Sequence, residues 1–190
     1  MRHLDAGQPL STRIVAVVAA SMLLSVLLAA PATGDPRLDD GSGGSAPPIS
    51  GFSTIALNGT PQLATASIAP FLVIDDSGTL GGWNVTLLVP TFQNGTGADC
   101  GTGSTATIDA TALSMAAPVV SAADGLTSMV GVTSDGFTDF TTARKIVVAD
   151  IGHGDGTYTV APQILKVTVP AAVYAGNYCT QATLSITTGP

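Results

Sequence analysis

The chain has 190 residues, a length for one domain, and its ionisable groups are lopsided: thirteen acids, every one an Asp, against six Lys and Arg, for a net charge of −7. A surface of that sign excludes nucleic-acid binding, since phosphates need a basic face, and it opposes attraction to anionic lipids or anionic wall polymers. Glu is absent and Lys scarce, so the good helix formers are missing while Thr, Val, Asp and Gly are plentiful, and composition alone favours β structure.

In chain order, Arg2 and Arg13 precede an apolar run, 14–30, broken only by Ser21 and Ser25. Ala30-Pro31-Ala32 then offers small residues at the −3 and −1 positions of a signal-peptidase site. Residues 1–32 are therefore read as a signal peptide cleaved after Ala32, with Gly34 as the alternative exit. An uncleaved anchor is the other reading of a run near the lower length limit for a span. No Cys follows the run, which excludes a bacterial lipoprotein anchor. Cleavage leaves four basic residues against twelve Asp, a net charge of −8. The mature chain is expected to be secreted, with no membrane contact. Residues 33–48 carry Asp, Gly, Ser and Pro with one sizeable apolar side chain, Leu38, and are read as a disordered linker. The folded domain is then 49–190.

From Ile49 onward, turn signals recur at short intervals: Asn58-Gly59, Ser77-Gly78, Asn94-Gly95, Asp124-Gly125, Asp135-Gly136, Asp155-Gly156 and Ala175-Gly176. Between them the spacing predicts strands over 52–57, 68–74, 83–92, 105–113, 128–133, 145–149, 158–160, 163–169 and 178–187. Alternation assigns faces: Trp83, Val85, Leu87 and Val89 inward against Asn84 and Thr86; Leu165, Val167 and Val169 inward against Lys166 and Thr168; Tyr178, Ala182, Leu184 and Ile186 inward against Gln181, Thr183, Ser185 and Thr187. The Ala-rich stretch 110–123 is broken by Pro118 and leaves room for a short helical turn at most. The expected architecture is an all-β, antiparallel, Ig-like or Greek-key β-sandwich.

Cys100 and Cys179 are the only cysteines, and an even pair in an exported chain reads as a disulfide. It would clip the Gly-rich stretch 94–103 to the outside of the last strand, because Cys179 alternates with that strand's polar face. Catalytic patterns are absent: no nucleophile elbow, zinc-protease helix or phosphate loop is present, and His153 is the one histidine of the mature chain. Its ordinary reading is a solvated loop residue. No enzyme activity, no cofactor and no metal are expected. Weak calcium candidates are the turn carboxylates Asp135, Asp139, Asp150 and Asp155, for which turn capping is the plainer account. Asn58, Asn84 and Asn94 head Asn-x-Thr sequons, which matter only in a host that glycosylates. Trp83 reads as a core anchor on strand phase, with a sugar-stacking platform as the functional alternative.

The segment 71–87, Phe-Leu-Val-Ile-Asp-Asp-Ser-Gly-Thr-Leu-Gly-Gly-Trp-Asn-Val-Thr-Leu, resembles the WxL-domain family of bacterial cell-surface proteins. There an apolar strand leads through an Asp-x-Ser/Thr-Gly turn into Gly-Trp-x-Leu. The ending, Val169 to Tyr178 followed by Thr183-Leu184-Ser185-Ile186, resembles the family's last turn and strand. Val85 replaces the Leu of the motif, and the distal Trp-x-Leu is missing from the last strand. The resemblance implies a non-enzymatic, extracellular protein that associates non-covalently with peptidoglycan or with other cell-surface proteins. Trp83, Asp75 and Asp76 are its ligand-binding candidates. The alternative expectation is a structural subunit that polymerises through strand edges, since Thr/Val-rich strands with few Lys leave an edge open to pairing.

Overall fold

The computed structural model describes residues 34–43, 47–95 and 106–190, together with the backbone of 16–17. With strands numbered along the chain, four sheets carry the domain, and every strand pairing among the described residues is antiparallel. One sheet has the order β10 (Val120–Ala122), β13 (Gly156–Val160), β5 (Phe71–Asp75), β2 (Arg37–Asp39). A second has β11 (Val132–Ser134), β12 (Arg144–Ala149), β6 (Trp83–Leu88), β16 (Thr183–Thr188). A third has β4 (Gln62–Ile68), β14 (Gln163–Val169), β9 (Leu113–Met115), and a small one has β15 (Tyr178–Cys179), β7 (Phe92–Asn94), β8 (Thr107–Ile108). The two-residue pair β1 (Ala16–Val17) and β3 (Ile55–Ala56) completes the set. The sheets face one continuous apolar core, and the protein is an all-β, antiparallel sandwich, as the turn spacing predicts.

Two Ala-Pro dipeptides shape this core. Segment 62–75 and segment 156–169 run side by side as one long ribbon: Val160 faces Phe71 on one side of a break, and Gln163 faces Ile68 on the other. The break sets Ala69-Pro70 against Ala161-Pro162. Neither proline has an N–H to give the ladder, so pairing lapses on both strands at the same level. The Ala69 N–H donates instead to the Pro48 carbonyl and the Ala161 N–H to the Val119 carbonyl, both at 2.9 Å. Burial changes phase across the corner. Ala64, Ala66 and Ile68 are buried before it and Phe71, Val73 and Asp75 after it; Tyr158 and Val160 precede Gln163, Leu165, Val167 and Val169 in the same way. An uninterrupted strand keeps one parity on one face. The change of parity turns both halves of the ribbon toward one core as the ribbon passes from sheet to sheet.

The predicted inward faces hold. Trp83, Val85, Leu87 and Val89 are fully buried, and Leu165, Val167 and Val169 are buried between exposed Lys166 and Thr168. A bulge where β12 passes β6 buries both Ile146 and Val147, which simple alternation does not allow.

Several expectations are corrected. Residues 33–48 are not wholly a linker: Arg37–Asp39 adds a strand to the edge of β5, and Leu38 enters the core opposite Val73. Composition missed this because one buried leucine and a borrowed ladder are enough to order three residues against an existing edge. The predicted strand 68–74 is two strands bent at Ala69-Pro70. The predicted strand 178–187 divides into β15 and β16, whose partners are β7 and β6. Residues 110–112 form a 3-10 turn capped by the Asp109 carboxylate, which accepts the Thr111 N–H at 2.8 Å.

Candidate functional site

Trp83, Asp150, His153 and Asp155 lie at one end of the sandwich, where β6, β12 and β11 lie side by side, whereas Asp135 and Asp139 follow the opposite end of β11 and Cys179 sits on β15. Ala149 faces Trp83 on one flank and Val132 on the other. Three loops leave this end: 76–82 before β6, 123–131 before β11 and 150–155 after β12.

Trp83 is the keystone of the end and is wholly buried. Its indole Nε1–H donates to the Gly154 carbonyl at 2.8 Å, and its ring meets Tyr158 edge-on, with centroids 5.4 Å apart and planes at 61°. No ring face is left for a sugar, so the stacking platform is not present and the core-anchor reading stands. Glycines make the close approach possible. A Cβ on Gly154, whose φ is +93°, would lie 2.6 Å from Trp83 Nε1, and one on Gly82, at φ +71°, would lie 2.5 Å from the Ala149 carbonyl oxygen. The Gly-Gly-Trp and Gly-His-Gly-Asp-Gly patterns are thus two halves of one packing arrangement.

The other candidates separate. Asp75 is buried at the end of β5, and its carboxylate accepts the Ser77 N–H at 3.1 Å, closing the turn. Asp76 is exposed and pairs with Arg37 at 2.8 Å, pinning the added strand β2. Asp139 accepts from the Thr141 backbone and hydroxyl, both at 2.8 Å, and meets Arg144 at 3.2 Å. These hydrogen bonds from Thr141, more than the Arg144 charge, hold its carboxyl below the usual range. Asp135, Asp150 and Asp155 do not converge with it, and among the described residues no three His, Cys, Asp or Glu side chains are placed to share a metal. His153 is half-buried, its ring lying against Gly131.

Tyr158 has an unusual setting for a phenol. Its hydroxyl donates between the Ser128 and Asp155 carbonyls, each at 3.1 Å. Burial first, then the charges of Asp155 and Asp75, push its pKa above the ordinary 10. It is a structural tie between two of the loops.

Cys179 is buried in β15 and is not a free thiol. Tyr178, its neighbour on β15, packs into the core while Cys179 lies outside that cluster, so Cys179 keeps the face opposite Tyr178 but is covered there rather than exposed. Cys100 lies outside the described residues. Of the sequons, Asn84 is buried and donates to the Gly189 carbonyl at 2.6 Å, Asn94 packs its amide against Gly176, and Asn58 alone is exposed, in a turn where its Oδ1 accepts the Thr60 N–H at 3.0 Å.

Sequence reasoning passed over a different group. Leu80, Leu126, Met129, Val130 and Ile151 are exposed large apolar residues, and all five sit on these three loops. No periodicity marks them, because they lie in turns, outside any strand. An unusual count of apolar residues in Gly-rich loops was the available signal.

The fold and this end define the chain as an acidic β-sandwich with a Trp-centred core and an apolar loop surface. No protein-family model, no curated protein and no solved structure matches it.

Proposed function

We propose that this is a secreted, non-enzymatic protein that associates non-covalently with the cell wall, through peptidoglycan or through wall-bound partner proteins, as a divergent relative of the WxL-domain family. The observation that carries the reading is the register between the two segments of resemblance. The ending strand β16 pairs along the whole of the Trp-bearing strand β6, from Thr183 opposite Leu88 to Thr188 opposite Trp83. Two stretches about a hundred residues apart in sequence are thus one structural unit, the relation expected of a shared domain motif. The Asp75 turn and the glycines before Trp83 belong to the same unit.

In this reading the apolar run 14–30 directs export, and Cys179 pairs with Cys100 to close the Gly-rich stretch between β7 and β8, a link worth about 4 kcal/mol by loop entropy. The acidic surface sets binding on shape and hydrogen bonds, with charge opposing an anionic polymer. Trp83, being buried, serves the fold, so wall contact falls to side chains at the surface. The test is co-sedimentation of the exported protein with purified peptidoglycan, with and without calcium. Pelleting that saturates supports wall association. Full recovery in the supernatant under both conditions, in a protein that also fails to pellet with intact cell envelopes, rejects it.

A second reading is a subunit that assembles through strand edges. β16 is the outer strand of its sheet and carries Thr183, Ser185 and Thr187 with no Lys. The β4 edge is closed by the chain itself: Ser50 and Ser53 donate to the Ser67 and Thr65 carbonyls at 2.8 Å. Light scattering at high concentration separates the two readings, since edge assembly requires growth with concentration and a strict monomer removes it.

A further inference from the structure

We infer that the loop end built on Leu80, Leu126, Met129, Val130 and Ile151 is a docking surface for another protein, one presenting an apolar socket rimmed by Lys or Arg. Four observations carry it.

The first is concentration. Scattered exposed apolar side chains are ordinary, but five of the nine exposed large apolar residues among the described ones lie on three adjoining loops, a concentration of the kind that marks interaction surfaces. Leu126 is 95% exposed and Ile151 73%.

The second is that these loops are held in place. The Gly152 N–H donates to the Leu80 carbonyl at 2.8 Å and the Asp150 N–H to the Gly131 carbonyl at 2.9 Å. The Asp124 carboxylate accepts the Leu126 and Thr127 N–H groups at 3.0 and 2.7 Å, while Tyr158 holds the Ser128 carbonyl. The apolar side chains are therefore displayed from an ordered frame, which lowers the entropy lost on binding.

The third is strain. Leu80, at φ +52°, is the one non-glycine residue with positive φ among the described residues, and it stands between glycine-rich neighbours that adopt such angles freely. A strained backbone that exposes a leucine costs the free protein twice, and such costs gather at functional loops.

The fourth selects the partner. Asp124, Asp150 and Asp155 fringe the patch, no Lys or Arg occurs in 76–82, 123–131 or 150–155, and Arg37, which reaches the 76–82 loop, is paired with Asp76. Hydrogen bonds from Thr127, then Leu126, lower the Asp124 carboxyl below its ordinary pKa. An anionic bilayer is repelled by this fringe, and a second copy would bring like charges together. A basic rim on another protein complements it.

This surface deepens the partner-protein branch of the proposed function and does not need the peptidoglycan branch: the chain can dock a partner whether or not peptidoglycan retains it. The experiment places a photo-crosslinking benzoylphenylalanine at Leu126 or Ile151, and at Ile164 on the exposed face of β14 as control, in the full chain expressed in its own host. The expected result is one protein adduct from both loop positions and none from Ile164, with the crosslinked peptide carrying Lys or Arg beside apolar residues. The adduct should fall about tenfold in an Asp150→Lys, Asp155→Lys background whose melting is unchanged. Equal labelling from Ile164, self-adducts alone, lipid adducts alone, or an adduct indifferent to the charge reversal each overturns the proposal. Peptidoglycan co-sedimentation of the same variants reports separately on wall association.

Discussion

Trp83 and Leu126 stand at the same end of the sandwich in opposite conditions. Trp83 is sealed, with its one polar atom satisfied by Gly154 and its ring against Tyr158. Leu126, one loop away, has almost all of its side chain in water, though its backbone is fastened by Asp124. Trp83, a ligand candidate by resemblance but a core anchor by strand phase, serves the core, and Leu126, which the sequence does not single out, stands at the surface. Burial decides which of two large apolar side chains contributes to stability and which is free to recognise something else.

The comparison can be broken most readily from the inside. Trp83→Ala should cost about 3–5 kcal/mol, from lost burial and the cavity left behind, and should lower the urea midpoint sharply or abolish folding. If Trp83→Ala melts like the parent, the keystone assignment is wrong. Gly154→Ala should cost about 2 kcal/mol, since the new methyl meets both Trp83 Nε1 and the Ala149 side chain at 2.6 Å on a backbone that favours glycine.

Tyr158→Phe should cost about 1–2 kcal/mol, because two loop carbonyls lose their donor. It also has a pH signature. The folded state raises the phenol's pKa, so it favours the protonated form; that contribution is fully present below the unfolded value near 10 and is lost as pH rises through the folded one. Denaturation midpoints followed from neutral to strongly alkaline pH should therefore fall above about pH 10 in the parent and lose that component in Tyr158→Phe.

Smaller effects sharpen the outside of the comparison. Leu80→Gly should be about 1 kcal/mol more stable than Leu80→Ala, since only glycine escapes the strain at φ +52°. Leu126→Ser should change stability by less than about 0.5 kcal/mol, as expected for a side chain that the fold does not use. A large loss in Leu126→Ser would mean that the loop surface belongs to the core after all.

The sequence by itself determined the class of structure. Period-two patterning and regularly spaced Asp-Gly and Asn-Gly turns require antiparallel strands with one wet face, and the inward sets on β6 and β14 were legible residue by residue, Trp83 included. Local chemistry also made the turn role of Asp139 readable, because a carboxylate two residues before a backbone N–H needs no distant partner. What the tertiary structure alone decided were the relations that depend on meeting residues far apart in the chain. Two Ala-Pro pairs become a corner only because register sets them opposite each other. Leu38 orders a would-be linker only because β5 offers an edge. Cys179 is covered only because β15 is set apart from the last strand and pairs with β7, and five apolar loop residues share one end only because three loops leave it. Local propensity reaches a few residues along the chain; contacts of this kind are fixed by packing, and packing is a property of the assembled fold.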